Sequence, residues 1–210
     1  MVSALGPGSG SAAVFGGAAP AATWWDLDGL IACCVAAYDA KNATSLANSY
    51  IDLSGNGNNC GPGVAPAWAA GTGWTFNGVT QWLDTGLTPG AAWSCSLTVV
   101  GSAPNVRTGA TLYDIGPNYF AQVLYVNGGV RAVAPALATG TLGIAAQQGY
   151  RNGVADGAAI PAGAAPSSTF RFGARGPTIE WGGTLVAASL YSCTLTAPQM
   201  LALAVRMNTL

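Results

Sequence analysis

From Trp24 onward the chain runs as short apolar stretches broken by turn residues, at the spacing expected of a β-sandwich. Residues 94–100 set the pattern: Cys95, Leu97 and Val99 alternate with Ser94, Ser96 and Thr98, so the two sets line opposite faces of one strand. Ile31 to Tyr38 reads as a first strand, apolar on both faces. Tyr119 to Val126 and Val130 to Val133 flank Asn127-Gly128, whose residues accept the positive φ of a tight hairpin turn. Asn152-Gly153, between Tyr150 and Val154, predicts a second such turn, and Phe170 to Phe172 and Leu185 to Tyr191 predict late strands. The one predicted helix is C-terminal. Thr196 caps it, Gln199 completes a capping box and Pro198 suits the first turn; Met200, Leu201, Ala204, Val205 and Met207 form its apolar stripe.

Half of the 210 residues are apolar, enough to bury the core of one such domain. Charge is scarce. Asp, Glu, Lys and Arg make up 7%, against roughly 25% in ordinary soluble domains. A skin so poor in charge gives little electrostatic protection against association and points to a protein that packs against partners. Residues 1–23 are Gly, Ala, Pro and Ser with few apolar residues, so they read as an extended arm before a domain spanning 24–210. Such an arm is ordered only when something holds it, and the expected holder is a neighbouring subunit, in a homo-oligomer or larger assembly. The first twenty residues lack the basic start and continuous apolar centre of a secretory signal. No apolar run approaches the ~18 residues of a membrane span. The seven basic residues are scattered, which argues against nucleic acid as a partner.

The order of short landmarks resembles the concanavalin A-like lectin/glucanase superfamily in its laminin-G-like branch. An opening strand ends in Ala37-Tyr38-Asp39, and the turn Asp52-Leu53-Ser54-Gly55-Asn56-Gly57-Asn58 follows. Phe76-Asn77-Gly78 then leads to Leu83-Asp84-Thr85-Gly86. Ser94 to Val100, Tyr150-Arg151-Asn152-Gly153-Val154 and Phe172-Gly173-Ala174-Arg175 match later strands. Trp181-Gly182-Gly183, Leu190-Tyr191 and Leu195-Thr196 match the close of the domain. One departure is the strand before the late hairpin, reduced here to Thr141 to Ala146. The resemblance implies an all-β jelly-roll sandwich of two antiparallel sheets with a short C-terminal helix. It does not imply an activity, because this fold carries lectins, hydrolases and structural domains alike.

The chemistry points away from an enzyme, and no catalytic residue is assigned. Glycosidases of this fold pair two carboxylates across the scissile bond, and this chain has a single glutamate, Glu180, without a carboxylate partner in its segment. The absence of histidine removes the usual general base and every His-ligated metal site. No cofactor motif is present. Asp52, Ser54, Asn56 and Asn58 offer oxygens at alternate positions, like the start of a calcium loop, but the twelfth position is Gly63. The turn is therefore expected to be structural, with Ca2+ as the alternative. The five cysteines read first as small buried hydrophobes, with a bridge between first and last strands through Cys193 as the alternative. Of the seven tryptophans, most read as core or rim packing. Trp68 and Trp82, in loop-like surroundings, are the candidates for stacking on sugar rings.

The expected function is thus a non-enzymatic decoration protein on a multi-subunit particle, a phage or virus virion, exposed at its surface and contacting host glycans. The alternative is a carbohydrate-binding adhesion module of a secreted or cell-surface protein.

Overall fold

A computed structural model describes residues 23–29, 31–101, 105–108, 113–116, 123–126, 129–132, 139–146, 148–156, 169–173 and 182–210; between 105 and 132 it describes strand backbone alone. Fifteen strands and two helices lie in these residues. The first sheet contains β1 (Cys34–Asp39), β3 (Ala67–Ala69), β4 (Gly73–Asn77), β6 (Ser94–Val100), β11 (Gly140–Ala145), β12 (Gln148–Arg151), β13 (Val154–Ala155) and β15 (Gly182–Tyr191). The second contains β2 (Gly61–Val64), β5 (Trp82–Asp84), β7 (Asn105–Thr108), β8 (Tyr113–Gly116), β9 (Val123–Val126), β10 (Gly129–Ala132) and β14 (Arg171–Phe172). Helix α1 is Leu46–Ser49 and α2 is Ala197–Met207.

Every pairing in the first sheet is antiparallel, in the order β13-β12-β11-β6-β15-β4-β3. Strand β15 is long enough to carry two neighbours on one edge. Gly182–Leu185 pairs with β4, and Ala187–Tyr191 pairs with β1. The second sheet runs β10-β9-β7-β8-β14-β5-β2 and is antiparallel except at β8–β14 and β7–β9. The hairpin expected around residues 127 and 128 is present as β9 paired with β10, and that around Asn152-Gly153 as β12 paired with β13. Asn152 takes φ 48°, the left-handed conformation that asparagine tolerates.

The two sheets close over one apolar interior. Cys95, Leu97 and Val99 of β6 meet Tyr38, Trp74, Phe76, Leu83, Phe170 and Phe172 there. The opposite face of β6 is buried as well, because α2 lies across it. The register explains how a helix fits so close. Gly143, Ser96, Ser189 and Ala37 stand side by side on β11, β6, β15 and β1, a strip of small residues. A side chain at Gly143 would occupy the space of the Met200 methyl group. At the far end Thr141 Oγ1 donates to Asn208 Oδ1 (2.7 Å), which leaves Thr98 as donor to Thr141 (3.1 Å).

Helix α2 begins as the sequence predicts: Thr196 accepts from the Gln199 amide, and the Gln199 side chain accepts from the Thr196 amide at 2.9 Å. Its stripe differs from the prediction. Met200, Leu203, Ala204 and Met207 are buried at the i, i+3, i+4, i+7 spacing, while Leu201 and Val205 face outward at 46% and 59% exposure. The first strand also starts later than expected, at Cys34. Cys33 precedes it and is joined to Cys193 by a disulfide, the alternative that the sequence leaves open, so the reading as buried hydrophobes holds for Cys60 and Cys95 while Cys34 is half-buried. Residues 23–29 lie over the same side: Trp24 packs with Val186, Ala187 and Met207, Tyr191 Oη donates to the Trp25 carbonyl at 2.7 Å, and Arg206 pairs with Asp28 at 2.7 Å. The arm assigned to residues 1–23 lies outside the described residues except for Thr23, whose carbonyl accepts from Arg206 at 3.2 Å.

Burial pushes the Cys34 thiol up to about 12, so it stays protonated and unreactive near neutrality. Thiol titration is therefore expected to find no fast-reacting group in the native protein at pH 8 and three after unfolding without reductant. Five after unfolding would show that Cys33 and Cys193 are not joined. Replacing Cys33 by Ser should lower stability in urea by about 2–4 kcal/mol; an unchanged midpoint would show that the crosslink does not constrain the unfolded chain.

Candidate functional site

Strand β5 turns Leu83 into the core and leaves Trp82 and Asp84 on the outer side of the second sheet, half-buried. The next strand, β14, repeats this division, with Phe172 inside and Arg171 outside. Arg171 and Asp84 stand directly opposite each other. The Arg171 Nε donates to Asp84 Oδ2 at 3.2 Å, and its guanidinium carbon lies 4.6 Å from the centre of the Trp82 ring. Thr169 Oγ1 donates to the same carboxylate oxygen at 2.8 Å, and the Gly86 amide to the other at 2.9 Å. Asp84 is thus held by three partners and in turn aims the guanidinium.

The other neighbour of β5 is β2, which is exposed throughout. The Trp82 indole lies across Gly63 in the space a β-carbon would take, so only glycine lets the ring lie flat on this strand. The result is an aromatic plate resting against bare backbone with a cation close beside it. Beyond the Nε contact to Asp84, the guanidinium carries further N–H donors in a planar fork.

The second tryptophan singled out from the sequence sits elsewhere. Trp68 is on β3 at the edge of the first sheet, opposite Trp74, and packs partly against the core. Its Nε1 donates to the Ala40 carbonyl at 2.7 Å. Trp68 and Trp82 thus stand on different sheets. Trp181 and Glu180 lie outside the described residues.

The Asp52 turn uses its oxygens on the backbone. Asp52 Oδ1 accepts from the Ala37 and Ser54 amides (3.0 and 2.9 Å), and Oδ2 accepts from Asn58 (3.0 Å). The Asn56 and Asn58 side-chain amides donate to the carbonyls of Cys34 and Val35. These side chains reach back to β1 rather than converging on one centre, and the arrangement fixes the strand. Beside it, Asp39, Asn42, Asn48, Ile51 and Leu53 line a shallow cleft of about 300 Å³.

Sequence reasoning found Trp82 but not Arg171, Asp84 or Gly63. The Trp-Leu-Asp and Arg-Phe alternations carry the signal for which side each residue takes, but the pairing joins residues 87 positions apart.

No protein-family profile matches the sequence, and no curated protein does. Solved structures do resemble it. Domain 4 of AbnA, a GH43 extracellular arabinanase from Geobacillus stearothermophilus solved in complex with arabinotriose, superposes with a TM-score of 0.53 at 15% identity, over 82% of this chain and 98% of that domain. Trypanosoma rangeli sialidase superposes with TM-scores of 0.53 and 0.51 in two structures, at 15% and 17% identity, over 85% of this chain. The chain spans about a third of the sialidase's length. These likenesses establish the β-sandwich fold.

Replacing Gly63 by Val should lift the indole off β2. Trp fluorescence should shift and stability fall by about 1–3 kcal/mol; an unchanged spectrum would mean that the ring does not rest there.

Proposed function

We propose that this chain is a carbohydrate-binding module, not an enzyme, and that it takes its ligand on the outer side of the second sheet at Trp82, Arg171 and Asp84. The observation that carries the reading is the Trp82 plate laid on Gly63 with the Arg171–Asp84 pair beside it. A sugar ring has an apolar face and hydroxyls that both donate and accept. The indole answers the first, and the guanidinium and carboxylate answer the second. Support also comes from the likeness to an arabinanase domain solved with arabinotriose, nearly all of which superposes here. The lack of histidine and the single glutamate favour binding over hydrolysis.

The setting we propose is the surface of a multi-subunit particle such as a virion, occupied in several copies. The 7% charge content supports it, as do the exposed Val154, Leu201 and Val205 on β13 and the adjoining helix α2. The landmark order from Tyr38 to Thr196 supports placing the sandwich in the laminin-G-like branch.

Titration calorimetry with arabinotriose and a neutral glycan panel should reveal a ligand, and Trp82→Ala should weaken it at least ~tenfold, about 1.4 kcal/mol. A wild-type protein that binds no glycan in the panel would end this reading. Deleting residues 1–22 should leave a folded domain that no longer enters its particle; normal incorporation would count against the assembly role.

A further inference from the structure

The Trp82 platform is one end of a longer feature set by the register of the second sheet. Across neighbouring strands, Asp84 stands opposite Arg171, Arg171 opposite Asp114, Asp114 opposite Arg107, and Arg107 opposite Tyr125. Residues in register on adjacent strands share a face of the sheet. The adjoining register row, Leu83, Phe172, Ile115 and Val106, is entirely apolar, and its Leu83 and Phe172 are buried in the core. By the two-residue alternation of strands, the charged row belongs to the other face.

The chain has only seven basic and eight acidic residues. Four of them nevertheless occupy consecutive places in this row, with alternating sign, between Trp82 beside Asp84 at one end and Tyr125 at the other. Strands lie ~4.8 Å apart, so the four steps from Asp84 to Tyr125 span about 19 Å.

Resting on the carbohydrate-binding reading, we propose that this row is a track for a linear, uncharged polysaccharide chain laid across the strands, with successive sugar units meeting successive strands. A span of four strand spacings exceeds a single sugar ring, which favours a chain over a terminal sugar. Alternating acceptors and donors suit hydroxyl groups, each of which can donate and accept. A polyanionic chain would meet a carboxylate at every second step, and a polycationic one a guanidinium, so the alternation selects against both. The row is neutral as a whole, with opposite signs at neighbouring register positions.

Cross-strand ion pairs also steady a sheet, so the decisive readout is dependence on ligand length, which a structural role does not produce. Wild-type protein is titrated with cello-, xylo- and linear arabino-oligosaccharides from dimer to hexamer, and with oligogalacturonides of the same lengths as acidic comparators. At least one neutral series should tighten ~tenfold or more between dimer and pentamer and then level off. Arg107→Gln and Tyr125→Ala, each checked for folding by circular dichroism, should lose that gain and keep the dimer affinity, while Val205→Ala should match wild type. Affinity independent of length, or oligogalacturonides bound as tightly as neutral chains, would overturn the track and leave the Trp82 site standing. Absence of binding by every series would overturn the carbohydrate reading and the track together.

Discussion

Strand β15 is buried on both faces, and the rest of the fold is arranged to make that so. Leu185, Ala188 and Leu190 face the interior between the sheets, while Val186, Ala187 and Tyr191 face the layer formed by α2 and the segment around Trp24. A strand in that position must satisfy its backbone groups within the protein, and β15 does so through β1, β4 and β6 and, at the Val186 carbonyl, the amides of Ala40 and Lys41. Its outer face must be shallow enough for a helix to approach, which accounts for the small residues Ala187 and Ser189 there. The register shift between Leu185 and Ala187 lets one strand serve two partners along the same edge.

This arrangement divides the two sheets by role. The first is covered on its outer side by the C-terminal helix, leaving the second to present a face that carries charge. Where aspartate and arginine are as rare as they are in this chain, their position says more than their number. Asp84 and Arg171 are held by neighbours rather than left to sample solvent, and a held polar group loses less freedom when a ligand arrives.

Much of this was legible before any coordinates. The alternation over residues 94–100 and the capping box at Thr196 are local signals with local causes, and both appear as predicted. The hairpins were legible for the same reason. Strands β2 and β3 were not, since Gly61–Val64 and Ala67–Ala69 carry no apolar alternation and owe their form to their partners. The facing of α2 was legible in part: Met200, Ala204 and Met207 of the expected stripe are buried. Leu201 and Val205, which resemble core residues in isolation, face outward, and Leu203 takes the remaining inward place. Trp82 could be nominated from the sequence, yet what makes it usable comes from two other strands and could not.

The crosslink between Cys33 and Cys193 joins positions 160 residues apart and encloses every described strand of both sheets. A protease that severs one connecting loop inside that span therefore produces two polypeptides but still a single covalent body. Nicking alone sheds no fragment, and the severed ends remain at high local concentration for re-pairing. That is durability gained from topology rather than from a larger core.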